Sequence, residues 1–324
     1  MICMDTATYD PWFNLAAEEY LLKKTRLEFF ILYRNEASVI VGKHQNAMAE
    51  VNLPYVSEHH IRVVRRITGG GTVYHDPGNL NYSFIRNGEK GHLVDFRKHT
   101  RIIMDFLGEK GLDVVFDGRN SLVLDGRKIS GTAEHVYHDR VLHHGTILFS
   151  ADLDRLSESL KTNSGRYSDK AIKSLRSEVT NLCDRLAGQD VGGFTGELMA
   201  FVRGSDPRSN AGYEFSAGDL AEIERLVADK YSSWDWNFGY SPKYSFENSI
   251  SHAGHTFSVR FEVEHGIIKN FSISGWNGDD PFPERLREAM TDRQHGYRSV
   301  SEALLEVQPD LQGADIRTLL AAFF

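Results

Sequence analysis

Residues 120–150 read NSLVLDGRKISGTAEHVYHDRVLHHGTILFS and predict a β-meander. Asp125-Gly126 separates two runs of alternating apolar and polar residues, which is among the strongest sequence signals for a tight hairpin. The polar triplet at 138–140 marks a second turn. Residues 120–150 are therefore expected to form consecutive antiparallel strands.

Lys128 lies just beyond the first of these turns. Strand alternation predicts that Lys128 and Ser130 share one face, with Arg127 and Ile129 on the other. Gly131 would weaken a strand interior, and such a glycine often marks the close approach of a ligand or another backbone. Lys128 is thus either a point charge on a phosphate or carboxylate, or an exposed hairpin lysine, which is the commoner role.

Upstream, residues 65–76 read RRITGGGTVYHD between two strand-like runs. Three consecutive glycines let backbone amides approach an anion, and Arg65 and Arg66 supply charge-assisted hydrogen bonds. The spacing matches neither a Walker A loop nor a Rossmann fingerprint. A flexible hairpin turn with two solvated arginines would suit the same residues, so this segment alone leaves both interpretations open.

Other helix and strand signals surround these motifs. Capping residues indicate helix starts at Asp10-Pro11, at Asp95 with an end at Gly111, and at Ser216 with Asp219. The runs at 29–33 and 38–42 predict a strand pair, and those at 61–66 and 72–85 predict strands on either side of the glycines. Residues 161–180 are polar, basic and without a period, which favours a functional loop.

The C-terminal part has its own pattern. The segment 232–245 is rich in aromatic and turn residues, and the residues after it alternate so that Phe257, Val259, Phe261 and Val263 share a strand face. Helices are expected around 283–291, 299–307 and 315–324. The length favours two domains, which we place at 1–242 and 246–324.

Composition excludes several classes of protein. The net charge is −8 over 324 residues, whereas dedicated nucleic-acid binders carry a basic stripe. No apolar run approaches the roughly 18 residues of a membrane helix, and no signal or transit peptide is visible. Cys3 and Cys183 form neither a CxxC pair nor an even framework, which fits a reducing compartment. We therefore expect a cytoplasmic protein that binds neither membrane nor nucleic acid.

Other reactive side chains lack the spacing that their chemistry needs. A structural or substrate-facing role is favoured over zinc binding for the histidines at 135, 138, 143 and 144, which show no metal-site spacing. The acids at 113, 117 and 125 could suggest magnesium, but loop acids are usually solvated. Cys183 is expected in a helix as a buried small hydrophobe, since nothing in the sequence indicates a lowered pKa.

Taken together, these motifs resemble the bacterial lipoate–protein ligase A family. The matching segments, in family order, are DPWFNLA (10–16), RRITGGGTVYHDPGN (65–79), GRNSLV (118–123), GRKISG (126–131), HHGT (143–146), SLRSEVTNL (174–182) and SSWDWNFG (232–239). The resemblance implies an α+β fold with mixed and antiparallel sheets flanked by helices, the class II synthetase-like fold of biotinyl and lipoyl ligases. It also implies a small α+β accessory domain at the C-terminus.

The resemblance implies an ATP-dependent ligase. Lipoate, or octanoate, would react with ATP to give an acyl-AMP and pyrophosphate, and the acyl group would pass to a lysine of a carrier. The carriers would be lipoyl domains of 2-oxoacid dehydrogenase E2 subunits or the glycine cleavage H protein. Mg²⁺ is expected with ATP, without assigned ligands, and the family's acidic residue after Arg-Asn is Ser121 here.

The resemblance also implies residue roles. Lys128 aligns with the family's essential lysine, which contacts the lipoyl carbonyl and the α-phosphate, where an ammonium stabilises developing charge. The nucleotide-binding set would be Arg66, Gly70, Gly71, Thr72, Val73, Tyr74, His75 and Lys128. Residues 161–180 match the loop that closes over the adenylate and keeps water from it.

Three alternatives remain open on sequence. An octanoyl or lipoyl transferase of the same fold would need Cys3 or Cys183 as its nucleophile, and neither lies in the meander. A biotin–protein ligase would carry a GRGRxGR loop, which is missing. A non-catalytic binder of lipoate or lipoyl domains would have no use for a nucleotide cradle.

Overall fold

The structure is a computed structural model that describes residues 1–88, 93–206, 210–252, 255–276, 281–309 and 313–324. Its contacts divide the chain into two compact units. The first unit is Met1–Lys43, Val64–Leu156 and Ser174–Ser233; the second unit is His44–Val63, Ser157–Lys173 and Trp234–Phe324. The predicted domains 1–242 and 246–324 stay a prediction.

The strands of the described residues are β1 (Ile2–Asp5), β2 (Phe29–Tyr33), β3 (Ser38–Val41), β4 (Arg62–Arg65), β5 (Val73–His75), β6 (Asn79–Asn87), β7 (Val114–Phe116), β8 (Ser121–Leu124), β9 (Arg127–Tyr137), β10 (Arg140–Leu148), β11 (Tyr167–Asp169), β12 (Asn210–Ala211), β13 (Tyr244–His252), β14 (His255–Glu264) and β15 (Ile267–Ser274). The helices are α1 (Pro11–Lys24), α2 (Ala47–Glu50), α3 (Leu53–Glu58), α4 (Phe96–Glu109), α5 (Leu153–Ser159), α6 (Val191–Ser205), α7 (Ala217–Leu226), α8 (Phe282–Met290), α9 (Tyr297–Val307) and α10 (Gly313–Leu320).

Within the described residues, the largest sheet has eight strands in the order β12-β1-β2-β6-β10-β9-β8-β7. A three-stranded sheet has the order β4-β3-β5, and a four-stranded sheet has the order β11-β13-β14-β15. The mixed sheets and their flanking helices confirm the predicted α+β class.

The meander is confirmed. β8, β9 and β10 pair antiparallel in sequence order. Asp125 and Gly126 both have positive φ, +51° and +78°, as a two-residue hairpin turn of this hand requires. The second turn places His138 at φ +55°.

A β-bulge overturns the predicted faces of β9. Lys128 pairs with Val123 and Ser130 pairs with Leu122, so Ile129 is an extra residue in the strand. Leu122 and Val123 are neighbours in β8 and point to opposite faces, and cross-strand partners share a face. Lys128 and Ser130 therefore lie on opposite faces, and the prediction that they share one was wrong.

The predicted strand pair at 29–33 and 38–42 was also wrong as a pair. Both strands exist, but β2 joins β1 and β6 in the large sheet, while β3 lies between β4 and β5. The predicted strand 72–85 is broken by Asp76, whose Oδ1 accepts the N–H groups of Gly78 and Asn79 at 2.9 and 3.1 Å. This local turn separates β5 from β6 and sends them to different sheets.

The predicted caps are confirmed. The side chain of Asp10 accepts the N–H groups at the start of α1, Asp95 does so for α4, and Ser216 forms a capping box with Asp219 at α7. Gly111 has φ +78°, the left-handed conformation expected after α4.

In the second unit, the predicted strand face and C-terminal helices are confirmed. Phe257, Val259, Phe261 and Val263 on β14 are at most 2% exposed. α8, α9 and α10 match the three expected helices to within four residues at each end. Strands β11 and β13, which pair with each other, were not predicted. No helix in the described part of the chain is long and apolar enough to span a membrane.

A buried titratable pair lies on β9 and β10. Glu134 Oε1 is 2.8 Å from His143 Nδ1, and both side chains are almost fully buried. Burial raises the pKa of Glu134 to about 7 and lowers the pKa of His143 to about 3. Below neutral pH the pair is therefore a carboxylic acid that donates to a neutral imidazole.

This pair predicts a pH-dependent effect of Glu134→Gln. The pKa of Glu134 in the folded protein exceeds the usual 4.5. The protonated carboxyl therefore makes its whole contribution to stability below pH 4.5, and this contribution is lost as the pH rises through about 7. The amide of the variant cannot ionise. As the pH rises from 5.5 to 8, the free energy of unfolding of the variant, relative to that of the wild type, should therefore increase by about 1–2 kcal/mol. Urea denaturation at both pH values measures this, with the exposed Glu36→Gln as control. Equal pH slopes for wild type and E134Q would contradict it.

Candidate functional site

The site is built on one face of the large sheet, in the first unit. An added Cβ at Gly131 would lie 3.0 Å from Lys128 Nζ, so the lysine side chain covers this glycine. Two residues further along β9, Ala133 shares the face and pairs with His144 of β10. The missing side chain of Gly131 thus leaves room for the side chain of Lys128, and not for the backbone of another segment.

The glycine loop folds around Arg66. The guanidinium donates from Nη1 to Ile40 O at 3.0 Å and from Nη2 to the carbonyls of Gly69 and Gly71 at 2.6 and 2.7 Å. Arg66 is 5% exposed, and burial lowers its pKa to about 10. Gly70 has φ +87°, and an added Cβ there would lie 3.1 Å from Arg66 Nη2. The arginine therefore fixes the loop from inside.

Arg65 is also buried. It donates to the carbonyls of Gly42 and Lys43 at 3.0 and 3.2 Å. β4 and β5 flank β3 and are not paired with each other. The interpretation of this segment as a hairpin turn with solvated arginines was therefore wrong.

A directed chain of hydrogen bonds joins the loop to helix α1. His144 Nδ1 is 3.0 Å from the Glu18 carboxylate, and His144 Nε2 is 2.8 Å from Thr68 Oγ1. Arg66 Nε donates to the same Thr68 oxygen at 2.9 Å. If the His144 imidazole donates from Nδ1–H to Glu18 and accepts the hydroxyl proton of Thr68 at Nε2, each of these side chains has a hydrogen-bond partner.

Glu18 is further held by hydroxyl groups of the sheet. Tyr33 Oη donates to its Oε1 at 2.9 Å, and Ser83 Oγ donates to the same atom. The carboxylate is 2% exposed. It lies close enough to Arg66 to favour the charged guanidinium, against the effect of burial. A buried charge is tolerable only with such partners.

The ammonium of Lys128 is half-buried, and its pKa is lowered. Burial is the main cause; Asp117 opposes it and Arg66 adds to it. The backbone of Lys128 is fixed by a separate strand-like segment, since its N–H donates to Glu178 O at 2.8 Å and its carbonyl accepts from Thr180 N at 3.0 Å. Lys128 is therefore a positioned cation without a carboxylate salt bridge among those found in the described residues.

Segment 174–180 also reaches the glycine loop. Ser174 Oγ accepts the N–H of Thr72 at 2.9 Å, and an added Cβ at Gly71 would meet Ser174 Oγ at 3.1 Å. The segment therefore spans from the glycine loop to Lys128.

The remaining predicted nucleotide residues continue into β5. Thr72, Tyr74 and His75 are buried, while Val73 is half-buried. Asn35 Nδ2 lies 2.9 Å from His75 Nδ1, so the ring proton belongs on Nε2, which is buried without a partner. Burial lowers the pKa of His75 to about 3 and, with Asp76, raises that of Tyr74 to about 12. His75 therefore offers one N–H donor.

The other candidate side chains, the histidines and the loop acids, do not come together in one site. His143 and His144 point to opposite faces, towards Glu134 and Glu18 respectively. Asp125 binds Arg185 at the surface, and Asp117 Oδ1 accepts three backbone N–H groups of its own turn. The described residues contain no group of three or more His, Cys, Asp or Glu side chains that could hold a metal ion.

Neither cysteine has the surroundings of a nucleophile. Cys3 is fully buried in the apolar core. Cys183 lies in a single 3-10 turn (Cys183–Arg185) and is only half-buried, so the predicted helix and the predicted burial were both wrong. Burial and the adjacent Asp184 raise the pKa of its thiol, whereas a nucleophilic cysteine needs a lowered one.

Sequence analysis missed Glu18, Thr68 and Ser174. Glu18 and Glu19 occur together in a helix that is otherwise apolar around most of its surface, and such a pair is a usable signal of buried acids. No local signal marks Thr68 or Ser174, because their contacts with His144 and Thr72 join residues that are 76 and 102 positions apart.

The chain is similar to a known family and to known proteins. A family model for the lipoyl protein ligase A/B catalytic domain matches residues 10–197. The chain is 37% identical over 300 residues to lipoate–protein ligase 1 of Staphylococcus aureus, covering 92% of this chain and 91% of that protein.

The chain is also similar to solved structures, of which two are described. One is of a bi-partite lipoate protein ligase and its E2 lipoyl domain from Thermoplasma acidophilum, with a TM-score of 0.63, 26% identity and coverage of 74% of this chain and 96% of that chain. The other is lipoate–protein ligase A bound with ATP, with a TM-score of 0.62, 25% identity and coverage of 74% and 98%.

The chain of hydrogen bonds predicts a strong effect of Thr68→Val. Valine keeps the shape but leaves Arg66 Nε and His144 Nε2 buried without their shared partner. The free energy of unfolding should fall by about 1–3 kcal/mol, because a buried polar group loses its hydrogen bond. Urea denaturation measures this, and Thr68→Ser, which keeps the hydroxyl, is the control. A T68V protein as stable as T68S would show that the chain is not coupled as described.

Proposed function

The chain belongs to the lipoyl protein ligase A/B catalytic-domain family, and from that premise we propose how its residues carry out the reaction. The protein is a lipoate–protein ligase. It joins lipoate to ATP, giving lipoyl-AMP and pyrophosphate, and then transfers the lipoyl group to the ε-amine of a carrier lysine, with release of AMP. The observation that carries the assignment is a positioned cation, Lys128, on the same sheet face as the amide-lined glycine loop.

Lys128 is the proposed catalytic residue. In the first step the carboxylate of lipoate attacks the α-phosphorus of ATP, and the bond to pyrophosphate breaks. Both reactants are anions, so an ammonium between them reduces their repulsion and stabilises charge that develops at phosphorus. Its half-buried position strengthens that interaction, because nearby solvent is limited.

The glycine loop is proposed to bind the nucleotide. Gly70, Gly71 and Thr72 would present backbone N–H groups to phosphate oxygens, since a loop of this kind forms an anion-binding concavity. Val73, Tyr74 and His75 continue the site along β5, and His75 Nε2–H is a buried donor that a ligand would satisfy. Arg66 holds the loop in shape, so its role in nucleotide binding is one of positioning.

The lipoyl chain is proposed to lie on the same sheet face, where each buried methylene contributes about 0.8 kcal/mol. In the second step the neutral carrier amine attacks the acyl carbon, the amide forms, and AMP leaves with the bonding electron pair. Residues 161–180 are proposed as the adenylate-binding loop that excludes water. The carriers are proposed to be lipoyl domains of 2-oxoacid dehydrogenase E2 subunits or the glycine cleavage H protein.

Mg²⁺ is proposed to arrive with ATP as part of the substrate. Ser121 stands where the family commonly has an acid, and its neighbour Asp117 is already bound to its own turn. The described residues do not fit a resident metal site held by protein ligands alone. Magnesium bound mainly by phosphate oxygens and water suits this side-chain set.

Domain organisation and location complete the proposal. We assign residues 1–242 to catalysis and residues 246–324 to an accessory domain. The family match at 10–197 and the position of Lys128 support the first assignment. A cytoplasmic location is supported by Cys3 and Cys183, which are not joined in a disulfide.

Mass spectrometry of a purified lipoyl domain tests the function. Incubation with this protein, ATP, Mg²⁺ and lipoate should add one lipoyl group to one lysine and release pyrophosphate. Omitting ATP, or replacing lipoate with buffer, should abolish the mass shift. Pyrophosphate release without lipoate, or carrier modification without ATP, would refute the assignment. A parallel reaction with octanoate measures the acyl preference.

Two substitutions test the role of Lys128. Lys128→Ala should lower lipoate-dependent pyrophosphate release by at least about 100-fold, since one electrostatic contact to the transition state is removed. Its thermal unfolding should match that of Arg127→Ala, the control, because Arg127 is an exposed cation at the adjacent position. Lipoyl-AMP formation by K128A at the wild-type rate would remove the residue from the mechanism.

Gly131→Ala is the finer test. Its new Cβ would lie 3.0 Å from Lys128 Nζ and displace the flexible end of that side chain by a few tenths of an ångström. The rate of adenylation should fall about 10-fold with little change in stability, since only a flexible group must move. Wild-type kinetics for G131A would show that the position of the ammonium is not critical.

A further inference from the structure

The segment 174–180 is tied to the site at both ends. At one end Ser174 Oγ accepts the N–H of Thr72 at 2.9 Å. At the other end Glu178 and Thr180 bond to the backbone of Lys128 at 2.8 and 3.0 Å. We call residues 174–180 the strap.

The two ties differ in kind. The tie at Lys128 uses a backbone donor and a backbone acceptor and forms a short parallel bridge with Val179. The tie at Thr72 uses a side-chain hydroxyl on a half-buried residue, with one further close approach to Gly71. The contact with Thr72 can therefore be broken by rotation of the Ser174 side chain, whereas the contacts with Lys128 break only if the backbone moves.

The hydroxyl oxygen of Ser174 lies where the proposed function would place a phosphate oxygen, on the N–H of Thr72. A backbone N–H donates one well-aligned hydrogen bond to an oxygen along its bond direction, and 2.9 Å is a normal length for that contact. The amide that the proposed function gives to the nucleotide is thus already bonded to the protein's own hydroxyl.

We propose that Ser174 competes with ATP for the Thr72 amide, so that nucleotide binding must displace the strap at this end. This inference rests on the proposed function, because it needs the glycine loop to be the nucleotide site. Displacement breaks the hydrogen bond between Ser174 Oγ and the N–H of Thr72 and lets this end of the strap turn about its tie at Lys128.

The exposure of Leu175 is consistent with displacement of the strap. Leu175 is 76% exposed, next to the residue that is displaced, and it has no apolar cover in the ligand-free protein. Contact between so much of the leucine side chain and water is unfavourable. Burial of the side chain against a bound ligand would contribute a favourable hydrophobic free energy. Release of Ser174 would allow Leu175 to turn towards the ligand.

Ser174→Ala tests the competition. In the absence of lipoate, calorimetric titration with Mg²⁺ and ATP should show a dissociation constant about 2- to 10-fold lower than for the wild type, the worth of one neutral hydrogen bond. Ser177→Ala is the matched control, an exposed serine three residues further along the same strap, and it should bind ATP as the wild type does. Weaker or unchanged binding by S174A would overturn the inference.

Amide hydrogen exchange gives a second readout that does not depend on affinity. Without ligand, the amide of Thr72 should exchange faster in S174A than in the wild type or S177A, and ATP should protect it in all three proteins. Equal exchange of this amide in S174A and the wild type would overturn the inference. Failure of the wild type to bind ATP at all would instead refute the proposed function, and thermal unfolding of each variant shows that it is folded.

Discussion

The site depends on a buried guanidinium. Arg66 is 5% exposed, carries a charge and has no carboxylate in direct contact among the ion pairs of the described residues. Isolated charges are too costly to bury, so the chain surrounds this one with carbonyl and hydroxyl oxygens. Three of those oxygens, from Gly69, Gly71 and Thr68, lie in the loop itself. The shape of the glycine loop therefore follows from the need to give this buried charge hydrogen-bond acceptors.

The same constraint extends into the sheet and helix α1. Thr68 can accept from Arg66 only if its own proton has a partner, which His144 provides. His144 in turn needs an acceptor for Nδ1–H, and this is why a carboxylate occurs inside α1 at Glu18. One buried charge thus accounts for polar residues on three separate elements. Replacing any member leaves its neighbours unsatisfied, which makes the network a unit.

Sequence predicted the parts of this arrangement that are local. The turn at Asp125-Gly126, the helix caps and the glycine loop follow from residue type and short spacing, and all of them are present. The prediction for Lys128 and Ser130 failed because a bulge depends on pairing with β8, which strand alternation does not include. The predicted pair of β2 and β3 failed for a related reason, since strand pairing depends on the whole sheet. Glu18 and Ser174 were missed because their contacts with His144 and Thr72 join residues that are more than 100 positions apart.

The charges around Lys128 shift its pKa in one direction. Burial and Arg66 both lower the pKa of Lys128, and Asp117 only partly opposes them. Two cations thus act on the same small space, and one of them, Arg66, is fixed there by its carbonyl and hydroxyl partners. A phosphate or carboxylate placed between them would reverse the sign of that interaction and raise the pKa of Lys128, because an opposite charge favours the charged form. In the proposed reaction, substrate binding would therefore stabilise the protonated form of Lys128, because the negative charge of the substrate offsets the repulsion between the two cations.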